Sequence, residues 1–297
     1  MLREIADLGF ERVELSHGIR ITLVPGIMRA LEEGVIRVGS THNFCPLPVG
    51  VNQAAPNFFQ PSSPDARERD QWTRQTKRSI DFAAQVGASV LVCHLGSVRY
   101  LWLLPDRHMS AYLASNPGAA ASGDKAYAGL VERALAKLRK RMPPYWERTL
   151  ASIRSVLDYA AEKKVVLALE NREKFEELPV DADFAELLQG LPPPAPAGYW
   201  HDAGHAHIKE TAGLISHRRQ LESNAGRLLG FHLHDVNAEG DDHQAIGSGG
   251  IDFGMLSGFF RPEHLFVIEL NPRVPVEGVR ESKARLEALL AGIGRGP

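Results

Sequence analysis

Residues 228–254 read LLGFHLHDVNAEGDDHQAIGSGGIDFG. An apolar run, Leu228 to Phe231, leads into His232, His234 and Asp235, and a short polar loop then brings Asp241, Asp242 and His243. Buried imidazoles and carboxylates are costly to desolvate unless something pairs with them. A divalent metal satisfies several at once. The same residue types close other apolar runs. His42 lies near the end of IRVGSTHNF, His94 follows SVLVC, and Glu170 ends VVLALE. His201, Asp202 and His205 close GYWHDAGHA, and Glu269 ends LFVIE. Taken singly, a strand-end histidine is more often a hydrogen-bonded structural residue, and a strand-end carboxylate is often the N-cap of the next helix. Six successive runs ending this way favour a shared metal site. Mixed imidazole and carboxylate donors suit Mn, Zn, Co or Fe.

The elements that must position these groups alternate along the chain. Strands are expected at 11–16, 36–44, 89–96, 165–171, 198–206, from 228, and at 265–270. Helices are expected at 1–8, 24–34, 65–86, 145–163, 181–190, 209–225 and 277–291. Alternation of this kind marks a parallel sheet wound from βα units. The expected fold is a (β/α)8 TIM barrel forming one domain over 1–297. Only seven strands are counted and the chain begins inside what reads as the first helix, so the first strand is expected to be missing. Active sites of such barrels lie at the C-terminal strand ends, where the histidines and carboxylates fall. Segment 97–142 is the least regular, with a small-residue stretch, Asn116 to Gly123, and a basic helix ending KLRKRM, read as a solvated face. Loops 46–64 and 97–125 are expected to set specificity.

Bulk properties narrow the class. The 297 residues are 44% hydrophobic and 24% charged, as in a soluble globular protein. A net charge of −2 counts against a nucleic-acid partner. Two cysteines, Cys45 and Cys93, make no disulfide framework and fit a reducing cytoplasm. No apolar stretch is long enough to span a membrane, and the N-terminus does not resemble a signal peptide.

Five pieces carry a family resemblance: ALEN (168–171), DAGH (202–205), HLHD (232–235), the D-x-H-x-x-x-G-x-G run from Asp241 to Gly249, and IEL (268–270). ADLGFERVEL near the N-terminus adds a sixth. Together they resemble the xylose-isomerase-like barrel superfamily, which holds sugar isomerases and epimerases together with endonuclease IV. The resemblance implies that Glu170, Asp202, His232 and Glu269 bind one divalent ion, with His205 facing the substrate. The endonuclease IV branch implies a wider, three-zinc set that adds His42, His94, His205, Asp241 and His243. His94, Arg172 and Arg273 are candidate substrate contacts, although for the two arginines a rim salt bridge is an equal reading. Phe58, Phe59 and Trp102 lie in long loops and could cover a sugar face or simply pack. His234 is expected to point opposite to His232, with one of the two buried outside the barrel lumen and His232 favoured as the ligand.

Three readings follow. The first is a metal-dependent isomerase or epimerase of a sugar, sugar phosphate or related polyol. Glu170 and Glu269 would move a proton through an enediolate. The partner would be a small-molecule sugar, and the barrel a candidate homo-oligomer. The second is an endonuclease IV-like phosphodiesterase acting on abasic DNA, and the third a non-catalytic sugar-binding barrel.

Overall fold

The computed structural model describes residues 1–101, 104–192 and 195–292. Seven strands form one sheet in chain order: β1 (Arg12–Leu15), β2 (Arg37–His42), β3 (Val90–Cys93), β4 (Val166–Glu170), β5 (Ala197–Asp202), β6 (Leu228–Leu233) and β7 (Leu265–Ile268). The described strand pairings are parallel. The helices are α1 (Leu2–Asp7), α2 (Val24–Glu32), α3 (Ala66–Gln85), α4 (Pro105–Ser115), α5 (Ala119–Ser122), α6 (Lys125–Arg141), α7 (Pro143–Glu162), α8 (Phe184–Gln189), α9 (Ala203–Thr211), α10 (His217–Asn224), α11 (Phe253–Ser257) and α12 (Val276–Leu290). This is the TIM-barrel class, with seven strands among the described residues. β3 and β5 are buried at every position, as strands covered on both faces must be. β1 and β7, at the two ends of the strand order, are the least buried.

Three local expectations change. Segment 97–142 is largely helical. Gly118 and Gly123 take left-handed φ of 80° and 68°, so the chain reverses on either side of the single turn α5. Asp124 then caps α6 by accepting from the Tyr127 amide at 2.7 Å. α4 buries only Pro105 and Met109, too few apolar positions to show a helical period. The helix expected at 209–225 is two helices. Gly213, at φ 69°, ends the first, and the Ser216 hydroxyl caps the second. His205 lies on α9 and not on a strand, because β5 stops at Asp202 and the Asp202 carboxylate caps that helix.

The described chain divides into two compact units. One comprises Met1–Gly96, Tyr145–Glu170 and Leu187–Gly198. Its core includes Trp72, Ile80 and Ala83 of α3, with Ile153, Val156 and Ala160 of α7. Burying a large aliphatic or aromatic side chain is worth roughly 1.5–3 kcal/mol. Cys45 and Cys93 are free and buried, and burial pushes both thiols up, so neither is an activated nucleophile. The second unit comprises Ser97–Pro144, Asn171–Glu186 and Tyr199–Pro297. Phe231 stacks on Phe266 at 5.6 Å and meets Phe260 edge-on at 4.9 Å. Gly230 admits no side chain, since a Cβ there would lie 2.5 Å from both the Leu265 carbonyl oxygen and the Trp200 ring.

Candidate metal and substrate site

In the first unit three consecutive strand ends converge. Parallel register aligns His42 with Val92 and Cys93 with Leu169, so His42, His94 and Glu170 emerge at one level. His94 Nε2 lies 2.8 Å from Glu170 Oε2, and His42 Nε2 lies 3.5 Å from the same oxygen. All three residues are buried. The opposite ring nitrogens set the tautomers. His42 Nδ1 is 3.0 Å from the Asn43 carbonyl oxygen and must donate to it. His94 Nδ1 is 2.9 Å from Asn57 Oδ1 and donates likewise. In the neutral imidazoles the Nε2 lone pairs therefore face a carboxylate, an arrangement that calls for a cation or a proton between them. Histidines that ligate metals present this same geometry, with the second ring nitrogen donating to an oxygen. The donor set fits a divalent ion.

In the second unit Asp202 is fully buried at the end of β5. Its backbone is clasped by Asn171, whose Oδ1 accepts from the Asp202 amide at 2.7 Å and whose Nδ2 donates to the Asp202 carbonyl at 2.9 Å. Asp202 Oδ1 accepts the His205 amide at 2.7 Å. Asp202 is thus an N-cap as well as a candidate ligand. His232 Nδ1 lies 3.1 Å from Glu269 Oε2 and 3.7 Å from Asp202 Oδ2, so it sits between two carboxylates. His205 Nδ1 lies 3.0 Å from the Asn171 carbonyl oxygen and donates to it, so the Arg172 guanidinium 3.3 Å from that nitrogen is a neighbour and not its hydrogen-bond donor, while Arg172 Nε meets Glu177 at 3.3 Å. His205, Glu173 and Asp242 bring potential ligand atoms within 4.8 Å of one another.

The loop after β6 behaves differently from its sequence reading. Asp241 is exposed and tied to Asn237, whereas Asp242 turns toward His205 and His243. The His243 Nδ1–Asp242 Oδ1 distance is 2.8 Å, and His243 Nε2 lies 3.8 Å from Glu269 Oε1. Burial pulls the His243 pKa down, but the hydrogen bond it donates to the Asp242 carboxylate and the charges of Glu269, Asp202 and Asp242 outweigh it and raise it to about 9. His234, expected opposite to His232, lies on the site side with it: residues two apart on an extended chain share a side, and the fully buried His234 holds its Nε2 3.1 Å from each oxygen of Asp202. Arg273 is exposed and lines a cavity of about 860 Å³ with Glu173, Asp241, Asp242, Glu277 and Glu281. Phe58 and Phe59 pack on each other at 4.7 Å, with Phe58 half exposed. Trp102 lies outside the described residues. Glu173 and Asn57 were not identified from sequence, and Asp242 was named in its loop without a role. None closes an apolar run, and their roles depend on how loops fold.

The chain matches the family described as xylose isomerase-like TIM barrel over residues 2–289 and belongs to it. A D-tagatose 3-epimerase-like protein superposes with a TM-score of 0.65 at 19% identity, over 98% of this chain and 92% of that one. The apo 3-keto-D-glucoside 4-epimerase from E. coli gives 0.63 at 16% identity, covering 97% and 92%. A putative xylose isomerase from Rhodospirillum rubrum gives 0.64 at 17%, covering 96% and 90%. These likenesses establish the fold. No curated protein matches the chain by sequence. No helix among the described residues is long and apolar enough to cross a membrane.

Proposed function

We propose that this protein is a divalent-metal-dependent isomerase or epimerase of a sugar or related polyol. Glu170, Asp202, His232 and Glu269 would hold the ion, the set that the family resemblance implies. The observation that carries this reading is the pairing of buried imidazole nitrogens with strand-end carboxylates in both units: His94 on Glu170 and His232 on Glu269. The names of the neighbouring structures, epimerases and isomerases of sugars, support the substrate class. A bound divalent ion would supply Lewis acidity at a substrate carbonyl and its neighbouring hydroxyl. Glu170 and Glu269 then serve as the two proton carriers at the adjacent carbon, one removing and one returning. His205, its ring fixed by the Asn171 carbonyl, holds a substrate oxygen, and Arg172 beside it stabilises developing negative charge.

The cavity of about 860 Å³ is lined by Glu173, Asp241, Asp242, Glu277 and Glu281 together with Arg273. Acidic walls favour an uncharged sugar over a sugar phosphate and oppose a nucleic-acid backbone. The test is a panel of free ketoses and polyols with Mn²⁺, read by product formation and by deuterium uptake from solvent at the reacting carbon. Glu170→Gln and Glu269→Gln should each abolish turnover and leave sugar binding intact. Full activity in either variant refutes the assignment.

One observation favours a second reading. The convergence of His42 and His94 on Glu170 matches the wider ligand set of the three-zinc phosphodiesterase branch. Metal counting separates the two. Three tightly held zinc ions with cleavage of abasic DNA would support the hydrolase, and one exchangeable ion the isomerase.

A further inference from the structure

We propose that His234 is a positioning residue: it orients the Asp202 carboxylate for metal binding and ties that carboxylate to the loop after β6. The proposal rests on the reading above only in taking Asp202 as a metal ligand.

The ring has two partners of different kinds. His234 Nδ1 lies 2.8 Å from the backbone nitrogen of His243, which can only donate. Nδ1 therefore accepts and carries no hydrogen. The Asp235 carbonyl oxygen also approaches Nδ1, at 3.4 Å, but a proton placed there would collide with the His243 N–H, so the shorter bond decides. The neutral ring must then hold its proton on Nε2. That atom lies 3.1 Å from both Oδ1 and Oδ2 of Asp202, and it donates into the fork of the carboxylate. One imidazole thus joins a strand-end ligand to the backbone of a loop.

The surroundings are built for this ring. A Cβ on Gly204, in the first turn of α9, would lie 2.1 Å from His234 Cε1, so glycine there leaves the space the ring fills. His243 stacks on it face to face, with ring centroids 4.2 Å apart and planes 3° from parallel. His243 itself takes φ 56°, a left-handed conformation that is unfavourable for a residue other than glycine. Its amide is the one that His234 accepts, and that bond helps hold the conformation in place. The loop is a hairpin folded back on the strand end. Asp235 and Gln244 exchange backbone bonds of 2.9 and 3.1 Å, and Asn271 donates to the His243 carbonyl at 2.7 Å. Through His234 the orientation of Asp202 is linked to the placement of Asp242 and His243.

Two substitutions separate the halves of the role. Asn places a polar atom near the position of Nδ1, and Gln places one near Nε2. His234→Asn retains an acceptor for the His243 amide and loses the donor to Asp202. His234→Gln retains the donor and loses the acceptor. Mn²⁺ affinity of the chelator-stripped full chain is measured by calorimetry, and protection of the His243 amide by hydrogen exchange. The expected result is a Mn²⁺ Kd weakened about 10–100-fold in His234→Asn, with His243 protection close to wild type. His234→Gln should bind Mn²⁺ within about threefold of wild type and lose His243 protection. Equal loss of Mn²⁺ affinity in both variants, or loss in neither, overturns the proposal, as does a wild-type chain that binds no Mn²⁺. A chain that binds Mn²⁺ with the expected split yet converts no sugar would overturn the isomerase reading alone.

Discussion

His217 offers a sharp test of how the second unit pays for its buried polar groups. Its ring is 1% exposed, and its Nε2 lies 2.7 Å from Nε2 of His201, whose Nδ1 lies 2.7 Å from the Tyr199 hydroxyl. One proton on this chain of rings can be accommodated, because one Nε2 donates while the other accepts. Two would set N–H against N–H. Burial is the largest influence on His217 and lowers its pKa; His207 adds to this, Asp202 and Asp252 oppose it, and the result is about 4 against an ordinary value of 6.5. His201 is displaced in the same direction, again chiefly by burial. The unfolded chain therefore binds more protons than the folded one between those two values, so stability rises with pH there and falls on acidification. The contribution is complete above pH 6.5, declines through the window, and is exhausted near pH 4. A displacement from 6.5 to about 4 corresponds to about 3 kcal/mol over the window, at about 1.4 kcal/mol per pH unit. The assay is urea unfolding of wild type and His217→Gln at intervals from pH 7.5 to 4.5. Gln retains a polar atom near Nε2 but does not titrate, and carboxylate contributions cancel in the difference. The wild-type curve should fall more steeply below pH 6.5, and the gap should change by about 2–3 kcal/mol before pH 4.5. Parallel curves would refute the reasoning, because they would show that the pair is either solvated or already protonated in the folded state.

Other perturbations probe different links. The Asp235 carboxylate accepts the amides of Val236 and Gly247 at 2.9 Å each and of Ile251 at 3.1 Å. Asp235→Asn should cost about 2–4 kcal/mol in urea unfolding, and a change below about 0.5 kcal/mol would show that the loop is held by other contacts. Phe231→Ala removes the ring shared by Phe260 and Phe266 and should cost about 3–5 kcal/mol, read as a lower denaturant midpoint at unchanged m-value. For the cavity lined by Glu277 and Glu281, a phosphorylated ketose should show a higher KM than the free ketose, and Glu277→Lys with Glu281→Lys should narrow that gap. Equal KM values in the unmodified protein would remove the electrostatic argument.

What could be read from sequence, and what could not, divides along physical lines. Apolar runs such as SVLVC and VVLALE announce buried parallel strands without reference to anything distant, and β3 and β4 fall within them. Because the side chain at a strand's end inherits its place from the strand, His42, His94, Glu170, Asp202 and His232 could all be located before any coordinates. The family pieces then supplied roles that spacing alone does not contain. α4 escaped because a helix that buries two residues leaves almost no period to read. His205 was misplaced by a few residues because DAGH continues an apolar-looking run, while the Asp202 cap that starts α9 acts through a single side-chain hydrogen bond. The loop after β6 is the harder case. Asp241, Asp242 and His243 are adjacent, so composition cannot say which carboxylate turns inward. That choice depends on the left-handed turn at His243 and on the amide His234 accepts from it, two facts that exist only once the hairpin has closed. His234 is a different case: standing two residues after His232, it returns to the same side of the extended chain, so the expectation that set it opposite misapplied the two-residue period. The strand-end residues were therefore the legible part of this candidate site, and their partners in the loop were not, because those contacts exist only where α9 meets the loop after β6.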